Sequence, residues 1–303
     1  MPRLETDIPE RFRPAIEACA AGALPANIAL LQLLMEAAAP EEVGDVLQAA
    51  SLNANGEDAK ARLEAMRHLL AENPQAFGLV KSVLLGVEHG GTAPDMGEGV
   101  TRWADMFDRM ARVSPEGAVA LYALGNPPLL RAATAEVVAY LRRETLLGSD
   151  CRVLEIGCGI GRFVEALAPE VTEVIGLDIA PAMIEEARRR CAGLTNATLL
   201  VSSGRDLSLI ADASVDLVLA ADVFPYLVQA GFALVEQHVH EAKRVLASGG
   251  SLVILNFSYR GDRDRDREDV RRLAEAADLQ VQTDGEKPFG LWDAAVFRLV
   301  RPA

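Results

Sequence analysis

Glu155, the alternating glycines Gly157, Gly159 and Gly161, and Asp178 stand at a spacing that suits the binding of a nucleoside cofactor. In Val153-Leu154-Glu155-Ile156-Gly157-Cys158-Gly159-Ile160-Gly161-Arg162-Phe163, an apolar run predicts a buried strand that passes through a glycine turn into a helix. Glycines let the backbone bend sharply and approach a ligand with no Cβ in the way, and the amides opening the next helix face that ligand. A second apolar run, Glu173-Val174-Ile175-Gly176-Leu177-Asp178, closes on an acid about 20 residues further on, where its carboxylate can accept both ribose hydroxyls. Each such charge-assisted hydrogen bond contributes roughly 1.5–3 kcal/mol. Nicotinamide and flavin enzymes use a related turn, G-x-G-x-x-G, but here the third glycine, Gly161, comes one place too early and Arg162 stands where that pattern wants glycine or alanine.

This form of the turn, with Glu155 inside the strand end, resembles motif I of the class I S-adenosylmethionine (SAM)-dependent methyltransferases. The resemblance covers about residues 150–303. It implies an α/β fold with a seven-stranded Rossmann-like sheet of order 3-2-1-4-5-7-6, an antiparallel last strand, and an N-terminal α-helical domain in front of it. It also implies SAM as cofactor, with S-adenosylhomocysteine as product. By the resemblance Glu155, Gly157, Cys158, Gly159 and Gly161 hold the amino acid end and Asp178 the ribose, with Ile179 and Met183 beside it. Asp206 takes the adenine amino group with Leu207 packed nearby, and Asp222 lines the place where cofactor and acceptor meet. Many small-molecule members carry histidine where Tyr226 stands, so no histidine base transfers to this chain. Asp222 and Tyr226 are the catalytic candidates, and Tyr122, Tyr226, Tyr259, Arg260 and Trp292 the acceptor-side ones. The implied reaction is methylation of a small-molecule acceptor at N, O, S or C, as in secondary metabolism. Two rivals stay open: a non-catalytic SAM-binding or interaction protein, and an NAD(P)-dependent oxidoreductase.

The elements that must position these residues follow from apolar spacing. Residues 197–201, 215–220, 251–257, 279–283 and 294–300 read as strands, and 181–191, 231–247 and 269–277 as helices, with Ser248-Gly249-Gly250 ending the second. The last two strands form an antiparallel pair. Residues 9–21, 25–39, 57–72 and 74–88 read as a small helical bundle; Ile28, Leu31, Leu34 and Met35 illustrate its spacing. The Gly- and Pro-rich run from His89 to Gly99 marks a hinge. These features divide the chain into a helical bundle over 1–90, a hinge and helical cap over 91–148, and a SAM-binding domain over 149–303. In the cap, Ser114-Pro115-Glu116 starts a helix, Tyr122 is the preferred lid residue, and Phe107 reads as core.

A chain of 303 residues with 50% apolar content can bury a sizeable core. Its formal charge of −14 argues against a nucleic acid partner, because phosphate contacts need a basic face. The arginines of the run Tyr259 to Arg267 alternate with aspartates, which reads as a solvated loop; Arg260 is set apart by its place just after a strand end. No targeting pattern or apolar run of about 18 residues is present, so a cytoplasmic protein without membrane partner is expected. Cys19, Cys151, Cys158 and Cys191 read as free thiols. His238 and His240 point nearly opposite ways on one helix, so no metal site is expected. The N-terminal helices admit several roles: a homodimer interface, a lid, a docking module, or a packed extension.

Overall fold

Seven strands hydrogen-bond into one sheet: β1 (Arg152–Ile156), β2 (Glu173–Asp178), β3 (Ala197–Val201), β4 (Val215–Ala221), β5 (Leu246–Leu255), β6 (Gln280–Glu286) and β7 (Val296–Val300). Their order is β3-β2-β1-β4-β5-β7-β6. The computed structural model describes residues 8–86 and 96–303. The first five strands run parallel, and β7 is antiparallel to both β5 and β6, as the resemblance implies. β1 sits between β2 and β4, so chain order reverses direction on either side of it. In an open α/β sheet the ligand crevice lies beyond the carboxyl ends of the strands at that reversal.

Residues group by contact into two units. The first contains residues 8–86, 116–133 and 289–293. It is built on α1 (Arg13–Ala20), α2 (Ala26–Glu36), α3 (Pro40–Asn53), α4 (Glu57–Glu72) and α5 (Ala76–Gly86), which bury Phe12, Leu30, Leu33, Leu47, Leu63 and Met66 in one core. α3 was not expected from the sequence, yet its signals are local. Pro40 stands at its start, Glu41 and Glu42 fill the first turn, and Val43, Val46, Leu47 and Ala50 form its buried stripe. On α2 Ile28 and Leu34 are buried as expected, together with Ala29, Leu30 and Leu33; Leu31 is partly buried against the core and Met35 is exposed.

Beyond these come α6 (Met96–Val113), α7 (Pro115–Val119) and α8 (Pro127–Arg143). Most of the expected hinge, 89–95, lies outside the described residues, as does the boundary at 90/91; Met96 to Gly99 belong to α6. The expected cap, 91–148, does not stay together by contact: 116–133 join the first unit, and 96–115 and 134–148 the second.

The second unit contains residues 96–115, 134–288 and 294–303. Around its sheet lie α9 (Arg162–Leu167), α10 (Pro181–Arg190), α11 (Phe224–Ala230), α12 (Phe232–Val245) and α13 (Arg263–Ala276). The segment after β4 opens the helix α11, with Pro225 in its first turn. Two expectations need correction. α12 ends at Val245 and the chain enters β5 at Leu246, so Ser248-Gly249-Gly250 is part of the strand and not the helix stop. The arginine and aspartate run is helical from Arg263: Asp262 accepts the Arg265 amide as N-cap and Asp264 and Asp266 lie in the first turn, where negative charge favours a helix.

Candidate active site

The glycine turn closes on the end of β1. Gly157, Gly159 and Gly161 have φ of 67°, 51° and 74°, a left-handed region costly for residues with a Cβ. Gly157 has a second constraint, since a Cβ there would meet Val223 Cγ2 at 2.2 Å. The chain leaving β4 therefore presses directly on the turn. At Gly161 a Cβ would lie 3.0 Å from Ala187 Cβ, so this glycine lets α10 pack close. Cys158 is buried, and burial pushes its thiol well above its ordinary pKa, which fits a packing residue.

Asp178 organises the turn from the end of β2. Its Oδ2 accepts the Gly159 amide at 2.8 Å and its Oδ1 the Ala180 amide at 2.9 Å. Burial raises its pKa, and those amides oppose the shift. Each carboxylate oxygen has a second lone pair, so the group can hold the turn and still accept hydroxyls. Ile179 and Met183 follow at once; Met183 is buried, and Ile179 Cγ2 lies 2.5 Å from where a Gly204 Cβ would be.

Glu155 is the least satisfied group of the site. It is 1% exposed, the Val164 amide donates to its carboxylate, and its Oε2 is buried with no hydrogen-bond partner. Burial raises its pKa well above normal; Arg162 pulls the other way and Asp178 adds to the rise. Arg162, also buried, reaches the Thr134 hydroxyl at 3.4 Å and lies 4.2 Å over the Phe163 ring. A buried carboxyl with an open oxygen beside a glycine turn fits an ammonium-bearing ligand, which would supply the missing donor.

Asp206 lies in the loop after β3. Its Oδ1 accepts the Ser208 amide at 3.1 Å and the Ser208 hydroxyl at 2.7 Å, bonds that lower its pKa. Leu207 next to it is buried.

Beyond β4, Asp222 has a left-handed φ of 60°. Tyr226, on α11, is ringed edge-on by Trp103 and Phe107 from α6, both at 5.0 Å, and by Tyr259 at 5.9 Å. Tyr259 is hydrogen-bonded to both Asp222 and Tyr226. Because an ionised carboxylate only accepts, Tyr259 donates to Asp222. Burial and the Asp222 charge hold the Tyr226 phenol above its ordinary pKa. Phe107, expected as core, thus packs on a site candidate. Arg260 is held by Asp266 at 2.7 Å and Asp269 at 2.5 Å.

Tyr122 and Trp292 belong to the first unit, where their rings stack at 5.4 Å and Phe289 stacks on Trp292 at 6.1 Å. Buried Asn27 fixes this segment by donating to the Tyr122 carbonyl at 3.1 Å and the Leu291 carbonyl at 2.8 Å. The other candidates lie in the second unit.

Two groups of the site were not singled out from the sequence. Asn256 directly follows β5, and Asp108 accepts the Ala182 amide at 2.8 Å, opening α10. Asn256 leaves one sign, since asparagine is among the few non-glycine residues suited to a left-handed turn; Asp108, 74 positions from its partner, leaves none. His238 is buried with Nδ1 at 2.9 Å from the Leu234 carbonyl, and no cluster of metal-ligating residues occurs among the described residues.

Residues 154–254 match a family model described as a methyltransferase domain. Nodulation protein S of Rhizobium tropici is 33% identical over 106 residues, 35% of this chain and 43% of that one. Demethylmenaquinone methyltransferase of Tropheryma whipplei is 33% identical over 107 residues, 35% of this chain and 42% of that one. The chain thus matches less than half the length of these curated relatives. Among solved structures, phosphoethanolamine N-methyltransferase 1 of Haemonchus contortus, bound to phosphoethanolamine and S-adenosylhomocysteine, aligns with a TM-score of 0.54. At 18% identity over 71% of this chain and 51% of that one, the likeness is one of fold. With its sheet order, its glycine turn and the match over 154–254, the second unit carries a methyltransferase domain and has the fold of the class I SAM-dependent methyltransferases.

Proposed function

We propose that the chain binds SAM and directs its methyl group to a small-molecule acceptor. The observation that carries this reading is the open, buried Oε2 of Glu155 beside three left-handed glycines and Asp178. When bound, SAM supplies a sulfonium methyl that an N, O, S or C nucleophile attacks in line, leaving S-adenosylhomocysteine. The residues of the chain then have three tasks. Glu155 receives the ammonium and the turn cradles the amino acid end, Asp178 accepts the ribose hydroxyls, and Asp206 accepts from the adenine amino group with Leu207 against the ring. Asp222 and Tyr226 face the acceptor: Asp222 takes its proton, Tyr259 orients that carboxylate through the hydrogen bond it donates to it, and Tyr226 is hydrogen-bonded to Tyr259 in turn. Positioning and exclusion of water account for the remainder.

Relatives named as demethylmenaquinone and malonyl-[acyl-carrier protein] methyltransferases support methyl transfer in preference to binding alone. The formal charge of −14 supports a small acceptor over nucleic acid. No described helix is long and apolar enough to cross a membrane. A cytoplasmic setting and a homodimer through the N-terminal helices complete the proposal. The test is release of S-adenosylhomocysteine from methyl-labelled SAM across a panel of amines, phenols, carboxylic acids and thiols. Turnover of one class, lost in Asp222→Asn, is expected. Tight SAM binding with no turnover of any class would favour the non-catalytic reading, and a nicotinamide absorbance change would revive the oxidoreductase.

A further inference from the structure

Residues 202–214 join β3 to β4 with no strand or helix of their own, and they carry Asp206 and Leu207. A stretch of that length has much conformational freedom to lose, so recognition through it needs an external hold. One turn of α12 supplies that hold. Glu241 Oε2 accepts the Leu207 amide at 3.1 Å, and Arg244 Nη2 donates to the Leu207 carbonyl at 2.9 Å. Both backbone groups of one loop residue are therefore taken by side chains three apart on one helix. Arg244 Nη1 also donates to the Ile210 carbonyl at 3.0 Å and to Asp212 at 2.5 Å. The two side chains are locked to each other, Nε to Oε1 and Nη2 to Oε2, both at 2.8 Å. These bonds act on the residue next to Asp206, whose Oδ1 is already turned by Ser208.

We propose that Glu241 and Arg244 are positioning residues for nucleobase recognition: they hold the Asp206–Leu207 turn in the shape that reads the adenine amino group. The inference rests on the cofactor reading above. The clamp touches the loop only and leaves the contacts of Glu155 and Asp178 alone, so its loss acts on the base and not on the rest of the ligand. Arginine is required because its planar fork makes several bonds at fixed angles, which a lysine with the same charge does not.

The test is calorimetric titration with S-adenosylhomocysteine and with its inosine counterpart, in which an oxo group replaces the adenine amino group. For Arg244→Lys we expect S-adenosylhomocysteine to bind about tenfold more weakly and the inosine counterpart to change by less than about twofold, so that discrimination collapses. Glu241→Gln, which keeps an acceptor for the Leu207 amide, is expected to show the same pattern at smaller size, and it serves as the test if Arg244→Lys does not fold. Lys243→Met, a change on the same helix, removes an ion pair to the distant Asp278 and should change neither affinity. A parallel fall of both ligands, or unchanged discrimination in a folded variant, overturns the clamp and leaves the cofactor reading intact. A wild-type chain that binds neither ligand overturns the cofactor reading, and the clamp with it.

Discussion

Asn256 donates its side-chain amide to Asp222 Oδ1 at 2.8 Å, joining the residues that leave β5 and β4. Both have left-handed backbones, with φ of 63° and 60°, conformations that cost on the order of 1 kcal/mol or more outside glycine. Asn256 Oδ1 in turn accepts the Ala295 amide at 3.1 Å. The bond leaves the second oxygen of Asp222 to face other partners. Asn256→Asp would set two carboxylates at this distance. Destabilisation by about 1–3 kcal/mol at neutral pH is expected, shrinking as acid protonates one of the pair. Melting curves at pH 7.5 and 4.5 measure it, and equal losses at both would remove the charge argument.

Glu155 gives a stability prediction with the opposite sense. Burial raises its folded pKa above the unfolded value, so the folded chain keeps a proton that the unfolded chain releases. The stability this group permits is complete below the unfolded pKa, near 4.3, and is lost as pH rises toward and through the folded value. Glu155→Gln cannot ionise and escapes that loss. We expect the ligand-free variant to melt a few degrees above wild type at pH 7.5, with the gap closing near pH 4. The same variant should bind S-adenosylhomocysteine at least about tenfold more weakly, because a charged partner is gone. A variant less stable than wild type at neutral pH would contradict the unpartnered oxygen.

Gly157 and Val223 should be coupled. Gly157→Ala drives a Cβ to within 2.2 Å of Val223 Cγ2 and also strains a left-handed φ. Binding of S-adenosylhomocysteine should fall sharply, and adding Val223→Ala should recover part of it, the part due to contact and not to φ. A double-mutant cycle with no coupling would show that the chain after β4 does not bear on the turn.

Tyr226→Phe removes the phenol that begins the chain to Tyr259 and Asp222. S-adenosylhomocysteine affinity should stay within about twofold while kcat with a competent acceptor drops about tenfold or more. Loss of affinity with unchanged kcat would move Tyr226 to the cofactor side.

The parts of this account legible in the sequence are those with short-range signals. The glycines, the acid after β2 and the apolar runs of β1, β2 and β4 each declare themselves within a few residues, and so does the strand order once the family resemblance is granted. The arginine and aspartate run misled because charge alternation suggests solvent, while the N-cap and first-turn acids that make it helical are read one position at a time. Asp108, Asn256 and the pair Glu241 and Arg244 act on partners 74, 34 and 34–37 positions away respectively. No local pattern carries such a contact. Likewise Asn27, an unremarkable helical asparagine by sequence, gains its role only when the chain 264 positions on returns to meet it.

The most direct measurement is isothermal titration of the purified chain with SAM, S-adenosylhomocysteine and NAD, repeated on Asp178→Ala. Asp178 accepts the amides of Gly159 and Ala180, so its loss removes the brace of the turn together with the proposed ribose acceptor. Micromolar binding of the two adenosyl ligands, no binding of NAD, and loss of adenosyl binding in a variant that still folds are the expected results. Binding of NAD alone, or no adenosyl binding by the wild-type chain, would contradict the cofactor reading.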